Sequence, residues 1–209
     1  MPIAKKAAKQ KYDVHPSLAM VQKMMSGLKE KTGRSLQEWI KLVEKDGPES
    51  EKERRAWLKA KHGLGMNYAS WIAEFSVGKG YDGNEESYLK QADEYVEAMY
   101  SGAKEALRPI YDELLALGRK QGKDVKVCPC QTMVPFYRNH VFAQLKPSTR
   151  TRIDLGLAPK DTKVPKRLIN TGGFEKKDRI THRIEITSLK DIDAEVKKWL
   201  KVAYDMDES

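Results

Sequence analysis

The residues with the clearest chemical potential are cations gathered in one block. Residues 126–183 hold 13 Lys or Arg against 4 Asp or Glu, a net +9, while 85–125 and 184–209 each come to −3. Charge sorted along a chain builds a local field that selects anionic partners. Arg138, Arg150, Arg152, Lys166, Arg167 and Arg183 are the candidate anion-binding residues, because guanidinium forks fit phosphate or carboxylate oxygens. Tyr137 and Phe142 lie close by, and an aromatic ring can stack on a base. In a strand, Arg150 and Arg152 share the face opposite Ile153, Leu155 and Leu157, and Arg183 opposes Ile184 and Ile186. The competing arrangement is a solvated face on which these arginines pair with Asp154 and Glu185.

Other chemistry-bearing residues are sparse. Cys128 and Cys130, the only cysteines, offer two thiolates, but a structural metal site needs four ligands and only His140 and His182 could complete it. One residue apart, they are poorly placed to bridge each other, so a reducing compartment is expected. Glu175 and Lys177, with Asp154 or Asp161 upstream, loosely match the carboxylates and lysine of metal-dependent nucleases, yet they follow Thr171-Gly172-Gly173-Phe174 in a loop rather than on a rigid strand. His182 shares the parity of Ile180, Ile184 and Ile186, which suits a packing histidine better than a catalytic one. No nucleophile elbow, P-loop, zinc-protease or dinucleotide motif is present. The reading is therefore of a binding surface, with no catalytic residue, metal or cofactor assigned.

The elements that must position these groups follow from periodicity. Of 209 residues 40% are apolar and 33% charged, with a net charge of +9, as in a soluble globular chain able to bury a core. No apolar run approaches the roughly 20 residues of a membrane helix and no signal peptide is evident, so the expectation is a cytoplasmic protein with no membrane partner. Residues 1–14 read as a basic flexible tail, with Lys5, Lys6, Lys9 and Lys11. A helical domain follows over 15–76. Its helices carry Leu18, Val21, Met24, Met25 and Leu28; then Leu36, Trp39, Ile40 and Val43; then Trp57 and Leu58; then Tyr68, Trp71, Ile72 and Phe75. Ser35 and Ser50, each followed three residues on by Glu, open two of them as capping boxes. The helix pair around Gly63 has the outline of a helix-turn-helix, but its second helix offers bases no Arg or Lys.

A Gly-rich linker over 77–86 leads to an α+β domain over 87–209. Two helices come first, with Pro109 kinking the second or marking its start near Arg108. From Val125 the apolar period falls from 3.6 to 2, giving strands around Val125/Val127, Val134/Phe136, Val141/Ala143/Leu145, Ile153/Leu155/Leu157 and Ile180/Ile184/Ile186. Arg138-Asn139-His140 suits a hairpin turn. A long Lys-, Pro- and Gly-rich loop fills about 158–178, a length that is usually functional or mobile. Ser188 then caps a last helix with Val196, Trp199, Leu200 and Ala203 inward. The fold class is α+β: a helical bundle, then a two-layer sandwich of antiparallel sheet and helices.

Several phrases carry a family resemblance. Lys59-Ala60-Lys61-His62-Gly63-Leu64-Gly65 with Tyr68-Ala69 resembles the small helical domain of an uncharacterised bacterial two-domain family. Tyr95 to Tyr111, Thr149 to Leu157 and Thr181 to Ile186 resemble its second domain, which is similar to domains labelled "predicted transport protein" and, remotely, to frataxin-type sandwiches that include proposed iron chaperones. The resemblance implies the fold and no catalytic residue. Three functions remain open. The first is a non-enzymatic protein engaging nucleic acid or another polyanion on a basic sheet face. The second is an enzyme or carrier holding a small anion in a pocket between sheet and loop, with Arg150, Arg152 and Arg183 as anchors and His182 as acid or base. The third is iron handling by Glu94, Glu97, Glu105, Asp112 and Glu113.

Overall fold

The computed structural model describes residues 11–79, 83–160 and 162–208. The cluster Lys5, Lys6 and Lys9 and the residue Asp161 lie outside these. The chain divides into two compact units, Pro16–Gln91 and the remainder, and the division falls inside one helix, α5 (Glu85–Met99).

The first unit is built from α1 (Leu18–Thr32), α2 (Leu36–Asp46), α3 (Glu51–His62) and α4 (Met66–Ser76). Helix α2 starts where the sequence predicts: Ser35 Oγ accepts from Glu38 N, and the Glu38 carboxylate accepts from Ser35 N at 2.7 Å. At Ser50 only half of that reciprocity forms, since the Glu53 carboxylate takes the Ser50 hydroxyl instead of its amide. The apolar stripes meet in a core of Leu28, Trp39, Val43, Leu58 and Ile72. The His62 ring stands edge-on to both Trp39 and Trp57, at 5.4 and 4.4 Å between centroids. The buried face of α4, Ala69, Trp71, Ile72 and Ala73, faces this core, so the α3–α4 pair is packing within a bundle.

The second unit is an α+β sandwich, as its periodicity predicts. After the C-terminal part of α5, Gly102 turns the chain at φ +55°, a left-handed value that glycine adopts freely, into a 3-10 segment. Helix α6 (Arg108–Arg119) begins with Pro109 in its first turn, where the missing N–H costs nothing. Among the described residues the sheet has six antiparallel strands in the order β1-β2-β3-β4-β6-β5: β1 (Lys126–Val127), β2 (Val134–Tyr137), β3 (Val141–Pro147), β4 (Ile153–Leu157), β5 (Ile169–Asn170) and β6 (His182–Ile186). Cross-strand register puts Ala143, Leu157 and His182 in one row and Leu145, Leu155 and Ile184 in the next. This apolar face packs on α6 and α7 (Ala194–Met206).

Several expectations are corrected. Tyr12, placed in a tail, is 2% exposed, and its hydroxyl meets that of Tyr111 at 2.9 Å. Asp13 joins it, donating its N–H to Val127 O and accepting from Val127 N on its side chain. Glu85 and Glu86 of the expected linker are already helical. Ser188 caps only a short 3-10 turn, and Asp193 is the N-cap of α7. Strand β4 starts at Ile153, so Arg150 and Arg152 precede it and do not alternate along it. Ile180 lies outside β6 and packs beside Gly156, on the face opposite Ile184.

Candidate functional site

The second face of the sheet is the polar one. Here Lys146, Asp154 and Glu185 form one row across β3, β4 and β6, and Gln144, Gly156 and Arg183 form the next. A half-buried strand exposes such a face to water, yet every residue of β4 is buried, including Asp154 at 7% exposure. The cover is the segment 171–181, which takes in the end of the loop expected over about 158–178 and the start of the strand expected at Ile180. Thr171 and Thr181 close its ends by a backbone bond of 2.9 Å, and Thr171 Oγ1 donates to Ile180 O. Gly173 allows this closeness, since a Cβ there would meet Ile180 O at 2.5 Å. At the turn, Lys177 is held at φ +55°, a strained value for a non-glycine residue. Strand β5 then pairs the loop's other limb to β6.

Between the cover and the sheet lies a cavity of about 300 Å³. Its floor is a charge network. Asp154 Oδ2 accepts from Arg183 Nη1 at 2.8 Å and from Ser148 Oγ at 2.6 Å, and Asp154 Oδ1 stands 2.9 Å from Arg152 Nε. Glu185 closes the set, taking Arg152 at 2.8 Å and Arg183 at 3.0 Å. Beside this network Gly156 lets Gln144 and Ile180 pack directly over the strand backbone, because a Cβ there would come to 2.8 Å from both side chains. Lys146 on the sheet side and Lys176 and Asp178 on the loop side complete the lining. The ammonium groups of Lys146 and Lys176 and the side-chain amide of Gln144 make no hydrogen bond or ion pair with any described residue.

The six expected anion-binding residues do not form one surface. Arg183 lines the cavity and Arg152 does not, and both are engaged by Asp154 and Glu185, the competing arrangement read from the sequence. Arg150 is exposed in the bend before β4. Arg138, at the β2–β3 turn, is held by Asp124 at 2.8 Å and by Glu208, and lies over the Tyr204 ring. The Tyr204 hydroxyl donates to Asp124 Oδ1 at 2.6 Å, and this bond together with that from Arg138 holds the Asp124 carboxyl below its usual range. Arg167 pairs with Asp193 and Glu195 at the start of α7, and Lys166 is exposed nearby. Of the two candidate stacking rings, Phe142 is 0% exposed, packed edge-on to Tyr204 and unable to meet a base. The Tyr137 hydroxyl is bonded to His15.

The remaining candidates fall elsewhere. His182 is turned to the apolar face, opposite Leu157, and burial lowers its pKa; it does not line the cavity. His140 meets Asp207. The Cys128 and Cys130 thiols donate to the carbonyls of Val14 and Cys128, and burial pushes them up to about 12 and about 11. Glu97 and Asp112 both hold Arg108. Among the described residues no three His, Cys, Asp or Glu side chains gather as metal ligands, and no helix is long and apolar enough to cross a membrane. Sequence reasoning missed Gln144, Ser148, Gly156 and Asp178 as a group. The available signal was Gly156, since a glycine inside a strand pattern marks close approach by another group.

A two-layer sandwich whose polar face is roofed by its own β5–β6 connection describes the class of the second unit. The chain belongs to the family described as Domain of unknown function (DUF5655), which matches residues 96–207. Residues 20–76 match a second family, Domain of unknown function (DUF4287), so the chain joins two such domains. No curated protein and no solved structure matches it.

Proposed function

We propose that the C-terminal unit binds a small anionic ligand in the cavity between the polar sheet face and the 171–181 segment. The observation that carries this reading is the pair of uncommitted ammonium groups, Lys146 and Lys176, beside a floor already neutralised by Asp154 and Glu185. A sheltered cavity with converging polar groups favours a discrete ligand, and its volume sits at the lower end of the roughly 300–1,000 Å³ usual for small-molecule sites. A carrier role, of the kind that the "predicted transport protein" resemblance implies, would use the same cavity. Nucleic acid on an open arginine face has less support. Arg138, Arg152, Arg167 and Arg183 spend their forks on this chain's own carboxylates, and a strand-long polymer does not enter a roofed pocket.

Thermal unfolding of the full chain tests the reading, because a ligand that binds only the folded state raises the midpoint with its concentration. Small organic anions are expected to raise it, and the Lys146→Ala/Lys176→Ala variant to lose that rise. Stabilisation by a short oligonucleotide and by no small anion would overturn the proposal.

A further inference from the structure

We infer that the ligand is a small monocarboxylate with a hydroxyl or amide next to its carboxylate; the inference rests on the cavity being a ligand site. The charges around the cavity set the ligand's charge. Of the cavity's lining residues Arg183, Lys146 and Lys176 supply three positive charges and Asp154 and Asp178 two negative ones, while Arg152 and Glu185, which do not line it, pair with each other and cancel. One positive charge is left over. A monoanion neutralises the site, whereas a dianion leaves it with a net negative charge beside the Asp154 and Asp178 carboxylates.

The geometry adds the second functional group. Both ammonium groups can donate to carboxylate oxygens, one from β3 and one from the loop. The Gln144 side chain stands one row away on the same face, packed over Gly156, and neither its amide oxygen nor its nitrogen bonds to a described residue. An amide offers both a donor and an acceptor, so it reads a hydroxyl, which can satisfy either. Asp178 closes the other side and turns away a second anionic group by like-charge repulsion. Ile180 supplies the apolar wall against which a short carbon chain rests.

The experiment is a titration of the full chain followed by amide chemical shifts, with lactate in one arm and inorganic phosphate in the other, at a pH where phosphate is a dianion. Lactate is expected to move the Gly156 and Gly173 amides and the Gln144 side-chain amide saturably, with phosphate weaker. Lys146→Ala/Lys176→Ala should raise the lactate Kd by about tenfold or more, as expected for loss of charge-assisted hydrogen bonds. Both lysines are exposed, so this variant keeps the fold. Gly156→Ala, whose Cβ would displace the Gln144 and Ile180 side chains packed over that position, should abolish the shifts. Tighter binding of phosphate at the same amides would overturn the monocarboxylate class and leave the cavity as a ligand site. Failure of both anions to move these amides would overturn both.

Discussion

Arg183 Nη1 donates to Asp154 Oδ2 at 2.8 Å, reaching diagonally from β6 to β4 across the row that Arg183 shares with Gly156. This pair turns what reads as an open basic face into a self-neutralised floor. Removing one partner of a buried ion pair costs roughly 3–5 kcal/mol, because the other charge stays buried and alone. Here the Arg152 and Arg183 side chains keep 24% and 31% of their exposure, so water offsets part of that cost. Asp154→Ala is therefore expected to destabilise the second unit by about 2 kcal/mol, read from urea unfolding. An Asp154→Ala/Arg183→Ala double variant should lose less than the sum of the singles. Simple additivity would show that the two do not interact.

The roof of the cavity is fastened from the far side of the sheet. Arg179, in the covering segment, donates to Val141 O and to the Asp207 carboxylate, which is 2% exposed and also accepts from His140 N at 2.8 Å. Asp207→Asn touches no part of the cavity lining, yet it weakens the hold on Arg179. Small-anion affinity is expected to fall severalfold in this variant, with faster hydrogen exchange at residues 173–180. Unchanged exchange there would show that the fastening is irrelevant to the roof.

Stability should fall with pH in two stages. Burial lowers the pKa of His15, His62 and His182, so these rings bind protons less readily folded than unfolded. A depressed group contributes stability above its unfolded pKa, about 6.5 for histidine, and loses it as pH falls through its folded value. The second stage comes from carboxylates that hydrogen bonds hold below their usual range: Glu38 on Ser35, Glu97 on Arg108 and Asp191 on Thr187. Their contribution is present above about pH 4 and is lost below it. Urea midpoints measured from neutral to acid pH should show both declines. His62→Phe should flatten the first, because Phe fills the gap between Trp39 and Trp57 without titrating; an unaltered first decline would remove His62 from it.

The helices and the central strands were legible because their signals are local. Ser35 and Glu38 announce the start of α2, Pro109 announces the start of α6, and the change from 3.6 to 2 after Val125 announces the sheet. Strand β5 carries two residues, too few for any period, and was invisible, whereas β1, equally short, was marked by Val125 and Val127. The site was hidden for a related reason. Its polar groups pair across strands, Lys146 beside Asp154 beside Glu185, and its roof is a loop whose path depends on Gly173 lying against the Ile180 backbone. The arginines were found, and their pairing with Asp154 and Glu185 stood as one of two readings. The choice between them depends on register, which only the assembled sheet settles.

The most direct measurement is the position of an anion in crystals of the full chain soaked in bromide and read by its anomalous signal. A bromide bound by a pair of ammonium groups gives a strong, localised peak, while one loosely screening exposed lysines does not. The expected result is a dominant peak inside the cavity, within hydrogen-bonding reach of both Lys146 and Lys176, that disappears in the Lys146→Ala/Lys176→Ala variant. Peaks scattered over the exposed Lys126, Arg150 and Lys166 with none in the cavity would contradict the assignment of the roofed polar face as the anion site.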